Sequence, residues 1–325
     1  MFIKLPVHPL ISIAPMVDWT YTHFRVLMRL LAPHVLLYTD LQTPGAILHN
    51  PQRAIDYHAM EHPLALQLGG ADIADLVRCA VLAAERGFVE INLNLGCPSD
   101  RVQAGRFGAC MMAEGAHVAE CIRAMKAAVQ IPVTAKTRIG IDQQDSYEFF
   151  ADFAHQLIAA GCDKLIVHAR KAWLHGLNPK QNRTIPPLHY DYVYRIKQVL
   201  PETPVIINGN IQSIAEITQH LTQVDGVMLG RLACQNPYAI AQIDHHFYPN
   251  SQLPLRQEVL QQYLDYARVA QQNGARLSIL LKPIFNLAHG LAGAKHWKAH
   301  LNAIQCLGRL TDTDAIVALM QQLEK

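Results

Sequence analysis

Eight short apolar runs alternate with helical patterns over the first three quarters of the chain, and this alternation limits the fold more than any other feature. The runs are ISIAPM (11–16), VLLYT (35–39), PLALQL (63–68), VEINLN (89–94), PVTAKT (132–137), KLIVHA (164–169), PVIING (204–209) and GVMLGR (226–231). Each is short and largely apolar, as strands of a parallel sheet covered on both faces are. Between them, ADIADLVRCAVLAAERG (71–87) puts Leu76, Cys79, Ala80 and Ala83 on one helical face and ends at a glycine. SYEFFADFAHQLIAAG (146–161) repeats the design, with Ser146 as N-cap and Gly161 as stop. Eight such units over about 240 residues predict an α/β protein of the (β/α)8 TIM-barrel class. The competing doubly wound sheet carries a glycine fingerprint after its first strand. Here the first strand runs into APMVDWT, which has no glycine.

Near YPNSQLPLRQ (248–257) the pattern changes to a linker, and EVLQQYLDYARVAQQNG, RLSILLKPIFNLAHGL, HWKAHLNAIQCLG and TDAIVALMQQLEK then read as helices. The expected domains are a barrel over 1–247 and an all-helical bundle over 255–325, the latter with a net charge of +3. With 325 residues, half of them hydrophobic and 17% charged, the chain buries a large core and is not disordered. The net charge of +2 selects no partner by itself. No run approaches the ~18 apolar residues of a membrane helix, and Pro6, His8 and Pro9 interrupt the N-terminal stretch before it could act as a signal core. Seven scattered cysteines imply free thiols in a reducing compartment, so the cytoplasm is expected.

A barrel of this kind builds its active site at the C-terminal ends of its strands. Those ends carry Pro15, Met16 and Val17; Thr39 and Asp40; Gln67; Asn94 and Cys97; Lys136 and Arg138; His168 and Arg170; Asn208, Gly209 and Asn210; and Gly230 and Arg231. The last two groups suit a phosphate, because glycine admits close backbone approach and a helix start favours anions. Two ordinary strand-to-helix turns are the alternative. Lys136 could form a Schiff base, bind phosphate, hold negative charge on a cofactor ring, or merely pair with a neighbouring strand end. Gln67 is a neutral donor and acceptor fit for an imide edge. A flat heterocycle such as a flavin would use both, with Pro15, Met16 and Val17 against a ring face.

Cys97 lies between Gly96 and Pro98, ahead of a stretch containing Gly105, Gly108 and Cys110. No C-x2-C spacing exists for zinc or for a redox dithiol, and no metal is expected. A nucleophile would need an orienting base that sequence does not place. Thiols of ordinary pKa, about 8.5, are mostly protonated at neutral pH and can act as acids. Buried filler is the bland reading, and it suits Cys79, Cys121, Cys162 and Cys306, which fall in helical patterns. Gly105 and Gly108 would let the Cys97 loop open and close.

Residues 164–190 contain no Asp or Glu but carry Lys164, Arg170, Lys171, Lys180, Arg183 and Trp173. Most of the segment is a loop of about 19 residues, long for a compact barrel. Basic residues interleaved with an aromatic suit a phosphodiester backbone and an unstacked base; a solvated basic loop is the alternative. Lys295, His296, Trp297 and Lys298 form a second such cluster.

APMVDWT (14–20), ALQLGG (65–70), INLNLGCPSDRVQAGRFGACMM (91–112), KTRIGIDQQDSYEFF (136–150), HARKAWLHGLNPKQNRTIPPL (168–188) and DGVMLGRLACQNP (225–237) resemble, in order, the stretches of the tRNA-dihydrouridine synthase family. The segment at 168–188 is similar to its A-type bacterial subgroup. The resemblance covers nearly the whole chain. It implies an FMN barrel with a helical tRNA-binding domain, and NADPH-driven reduction of the uridine C5–C6 bond in the D-loop, at positions 20 and 20a. It implies FMN contacts from Pro15, Met16, Val17, Gln67, Lys136, His168, Asn208, Gly209, Asn210, Gly230 and Arg231, with Cys97 as proton donor. Asn94, Arg138, Arg170, Lys180, Arg183, Lys295 and Lys298 become candidates for the uridine or tRNA. Asn210 departs from the family's second glycine; asparagine tolerates left-handed geometry, so a small effect is expected. We expect a monomer with no membrane partner. A small-molecule dihydropyrimidine or dihydroorotate dehydrogenase relative and a non-catalytic RNA-binding barrel are the competing readings.

Overall fold

The computed structural model describes residues 9–248, 252–310 and 313–325. The N-terminal positions Pro6 and His8, and linker residues 249–251, lie outside the described residues. Eight strands form one parallel sheet: β1 (Leu10–Ile13), β2 (Leu37–Tyr38), β3 (Leu64–Leu68), β4 (Glu90–Leu95), β5 (Val133–Arg138), β6 (Leu165–His168), β7 (Val205–Asn208) and β8 (Gly226–Leu229). Their order is β1-β8-β7-β6-β5-β4-β3-β2. A parallel bridge between Ser12 and Leu36 joins the two ends, with Ile13 N–H donating to Leu36 O at 2.9 Å and Leu36 N–H to Ile11 O at 3.0 Å. The sheet is therefore a closed (β/α)8 barrel, as the alternating runs predict. β1 stops before Pro15, earlier than the apolar run does, because proline brings no N–H to a ladder.

Helices Ile73–Glu85 and Tyr147–Ala159 form where their apolar periodicity places them. Leu76, Cys79, Ala80 and Ala83 are the buried face of the first. Ser146 Oγ caps the second by accepting from Phe149 N–H at 3.2 Å, and Gly161 takes a φ of +95° just beyond its end. Fully buried Leu76 and Leu157 each contribute roughly 1.5–3 kcal/mol of burial.

Inside the barrel, side chains at alternate strand positions meet. Ala14, Tyr38, Ala65, Ile166, Ile206 and Met228 pack as one cluster, with Met16 against it.

Backbone proximity divides the chain into two compact units. One holds the barrel strands. The other draws together Val17–Val35, His58–His62 and Gly230–Lys325. In it, helix Thr22–Leu31 packs on Arg256–Gln272 and Pro237–Phe247. The expected single helix over 276–291 is instead Leu277–Leu281 followed by a 3-10 turn, Lys282–Asn286. Pro283 lacks the N–H that would continue it. Trp297 is fully buried, donating from Nε1 to Ile284 O at 3.0 Å. Cys306, expected as filler, is exposed, while Cys79, Cys121 and Cys162 are buried. Cys162 lies just past the end of helix Tyr147–Ala159. Among the described residues no helix is long and apolar enough to cross a membrane.

Candidate active site at the strand ends

Gln67 is the penultimate residue of β3 and is fully buried. Its Nε2 donates to Asn92 Oδ1 and its Oε1 accepts from Asn94 Nδ2, both at 2.8 Å. Asn94 Oδ1 in turn accepts from Gly96 N–H at 3.2 Å and Cys97 N–H at 3.0 Å. The alternation of β4 puts Asn92 and Asn94 on one face, and Asn94 then turns back to hold the start of the Cys97 loop.

Cys97 is half-buried, with Sγ 3.5 Å from Ser99 Oγ. Its carbonyl accepts from Ala109 N–H at 2.9 Å. Gly108 has a φ of +83°, and a Cβ there would stand 2.5 Å from Cys97 O and 2.4 Å from Val102 Cγ1. A Cβ at Gly105 would stand 2.5 Å from Phe107 Cε1. These glycines, expected to let the loop open, serve here to let it pack closely on itself.

Lys136 pairs in register with Asn94 and donates from Nζ to Asn208 Oδ1 at 3.4 Å. Asn208 Nδ2 is committed to Met228 O at 2.7 Å, which turns its oxygen toward the lysine. This partner is neutral, so the salt-bridge reading of Lys136 has no support from it. Loss of water lowers the Lys136 ammonium from 10.5 to about 8; Arg138 adds to the shift and negative charge on Cys97 opposes it. A lysine so placed favours an anionic neighbour.

Arg138 is buried and donates from Nε to Gly96 O at 2.8 Å, and from Nη1 to Lys171 O at 3.0 Å and Asn182 O at 2.9 Å. It thus ties the Cys97 loop to the long loop after β6. Burial lowers it to about 10, opposed by Cys97 and reinforced by Arg183 and Arg170. Arg170 is buried too and donates to Pro186 O. Fully buried Asn182 accepts from Trp173 N–H and donates to Trp173 O and Leu177 O, so the long loop is an ordered structure. Lys171 pairs with Asp145 Oδ2 at 2.6 Å and lies 4.3 Å from the centre of the Trp173 ring. Although the loop itself is free of acids, a neighbouring loop neutralises one of its lysines. Lys180 and Arg183 are exposed.

Half-buried His168 pairs in register with Arg138 and with Asn208. Gly209 follows with a φ of +139°, where a Cβ would meet Leu188 Cδ2 at 2.8 Å. Asn210 is exposed with a φ of +56°, the left-handed geometry expected of it. Pro15 and Met16 are half-buried. Gln67, Asn94, Cys97, Lys136, Arg138 and Asn208 are thereby joined by hydrogen bonds or register in the barrel unit.

Val17, Gly230, Arg231, Lys295 and Lys298 belong to the second unit. Val17, Lys295 and Lys298 are exposed. Arg231–Gln235 is a helix of only five residues, a weaker dipole than a full helix offers. The basic–aromatic cluster at 295–298 does not form a stacking surface, because Trp297 is a core residue. Sequence reading missed Glu90, Asn92, Thr134 and Asn182. The polar alternation Glu90, Asn92, Asn94 inside an apolar strand is the signal that could have found the first two.

A dihydrouridine synthase (Dus) family model matches residues 12–322. A tRNA-dihydrouridine(20/20a) synthase of Shewanella oneidensis is 52% identical over 292 residues, covering 90% of this chain and 87% of that protein. Proteins of the same name from Vibrio parahaemolyticus and Synechocystis are 48% and 47% identical, with 90% and 93% of this chain covered and 90% and 91% of theirs. A 2-naphthoyl-CoA reductase structure in complex with 2-naphthoyl-CoA superposes with a TM-score of 0.55 at 8% identity over 74% of this chain. The chain spans 51% of that protein's length, and the likeness concerns the fold alone. The chain therefore belongs to the dihydrouridine synthase family and is an oxidoreductase acting on uridines of transfer RNA.

Proposed function

We propose that the chain reduces the C5–C6 bond of uridines 20 and 20a in the tRNA D-loop, with FMN as bound cofactor, NADPH as reductant and Cys97 as proton donor. The names of its relatives support the two positions. The observation that carries the site assignment is a half-buried thiol three residues beyond Asn94, the register partner of a lysine whose hydrogen-bond partner is neutral.

The residues fit a flavin phosphate ester. Gln67 supplies a fixed amide, Lys136 a poorly hydrated positive charge, and Gly209 and Asn210 two consecutive residues of positive φ. Pro15, Met16, Val17, Gln67, Lys136, His168, Asn208, Gly209, Asn210, Gly230 and Arg231 would hold it. When bound, FMN supplies the hydride that C6 of the uracil receives. Lys136 favours the negative charge that accompanies the reduced cofactor. Cys97 delivers its proton to C5, so that the double bond gains one hydride and one proton, and the thiol is reprotonated from water. Asn94 and Arg138 line the place for the base, which has to leave its stack to enter. Arg170, Lys180, Arg183, Lys295 and Lys298 serve the flanking RNA, Arg170 by shaping its loop and the exposed lysines and Arg183 by charge. In this reading residues 1–247 carry catalysis and 255–325 bind tRNA, in a cytoplasmic monomer.

Cys97→Ala tests the assignment. NADPH should still bleach the flavin, while dihydrouridine formation falls about 100-fold or more. Product formation at the normal rate would remove the acid role from Cys97.

A further inference from the structure

A chain of hydrogen bonds runs inside the barrel from the base of β4 to the Cys97 loop. Glu90 receives three donors: Lys164 Nζ at 2.5 Å on Oε2, and Tyr38 Oη at 2.7 Å and Thr134 Oγ1 at 2.6 Å on Oε1. Burial and Glu90 itself push the Tyr38 phenol well up, so it keeps its proton and donates. Thr134 has one hydroxyl hydrogen. Given to Glu90 at 2.6 Å in preference to Ile91 O at 3.3 Å, it leaves Oγ1 as acceptor, and Asn92 Nδ2 donates to it at 2.9 Å. That fixes which way the Asn92 amide is turned. Its Oδ1 accepts from Gln67 Nε2, Gln67 Oε1 accepts from Asn94 Nδ2, and Asn94 Oδ1 is left for the Gly96 and Cys97 N–H groups. The far end demands the same sense, since backbone N–H groups can only donate. A carboxylate at one end and two amides at the other agree on the orientation of every amide between them.

We propose that Glu90 is a positioning residue that sets the sense of this relay, and through Thr134, Asn92, Gln67 and Asn94 holds the Cys97 loop in place. Glu90 touches neither substrate nor thiol. In Glu90→Gln the Lys164 ammonium, which can only donate, takes the amide oxygen and turns the amide nitrogen toward Thr134. The two ends then demand opposite senses, a donor meets a donor within the relay, and the hold on the loop weakens. The consequence for proton delivery rests on the reading of Cys97 given above, but the anchoring itself does not.

The test is the alkylation rate of Cys97 by iodoacetamide in the full chain, read peptide by peptide by mass spectrometry against exposed Cys306. Buried Cys79, Cys121 and Cys162 report global loosening. In Glu90→Gln the Cys97 to Cys306 ratio should rise about five-fold, with the three buried thiols still protected. Thr134→Val cuts the relay without touching a charge and should give a similar rise; it carries the test alone if Glu90→Gln does not fold. The double variant should add nothing to Thr134→Val, because the two act through one chain. An unchanged ratio in folded Thr134→Val, additive effects, or a rise shared by the buried thiols would each overturn the proposal. Product formation by Cys97→Ala would sink the acid assignment and leave this measurement interpretable.

Discussion

In the barrel interior Ile166, Ile206, Met228 and Ala14 pack as an apolar cluster with Ala65 and the ring of Tyr38, whereas Gln67, Glu90, Asn92, Asn94 and Thr134 on β3 to β5 form a hydrogen-bonded set that Tyr38 joins only through its hydroxyl. Both sides close the same parallel barrel, yet by different physics. The apolar side gains from removal of surface from water, which has no direction and tolerates rearranged rotamers. The polar side gains little net free energy per hydrogen bond, but each bond fixes an atom's position and the sense of its neighbour. The thiol loop is anchored to the polar side through Asn94. Stability and site geometry are thus separable along the circumference of one barrel, and substitutions on each side should report different quantities.

The largest effect expected is on the apolar side. Ile206→Ala leaves a cavity in the cluster and should cost about 2–5 kcal/mol in a denaturant titration. The Cys97 to Cys306 alkylation ratio should stay where it is in the parent chain. If the ratio moved as far as it does in Thr134→Val, the separation of the two sides would be broken. On the polar side, Asn92→Leu keeps the branched skeleton but strands the Gln67 Nε2 hydrogen, and should cost about 1–3 kcal/mol. Here the ratio should rise, although the stability loss is smaller. A loss exceeding that of Ile206→Ala with no change at Cys97 would reverse the comparison.

The two sides also differ in how far they could be read from sequence. Apolar runs with turn residues between them announce strands, so all eight strands were legible, with ends off by up to three residues where Pro15 or a short β2 cut the ladder. Gln67, Cys97, Lys136 and Asn208 were legible as strand-end residues because a barrel puts its chemistry there. The relay was not. Glu90, Asn92 and Thr134 sit below the strand ends, and only their mutual distances reveal a connected chain. Arg138 and Arg170 were candidates for the uridine or tRNA, Arg138 through the family resemblance and Arg170 also through its basic loop, and neither reading could show their backbone carbonyl partners at Lys171, Asn182 and Pro186. Trp297 misled for the same reason: a tryptophan between lysines reads as a stacking surface until its burial is known.

The smallest effect expected concerns Lys136, where the two sides meet across its contact with Asn208. Folding lowers this lysine from 10.5 to about 8, chiefly by burial. Below about pH 8 folded and unfolded chains both hold the proton, and the folded chain bears the full cost of a poorly hydrated charge. Between about 8 and 10.5 the unfolded chain binds more protons, so this group's contribution to stability rises with pH. Above that window both forms are neutral and the cost is gone. Lys136→Met should therefore be more stable than the parent below about pH 8, with the difference shrinking toward pH 10.5, as read from paired urea titrations. Partial exposure of the side chain and the hydrogen bond to Asn208 keep the cost below that of an unpartnered buried charge. An anion bound beside Lys136 restores its proton, so FMN binding at about pH 9 should take up protons, measurable by calorimetry in two buffers of different ionisation enthalpy. A pH-independent difference between Lys136→Met and the parent, together with no proton uptake, would place Lys136 in ordinary solvent and detach it from the polar side altogether.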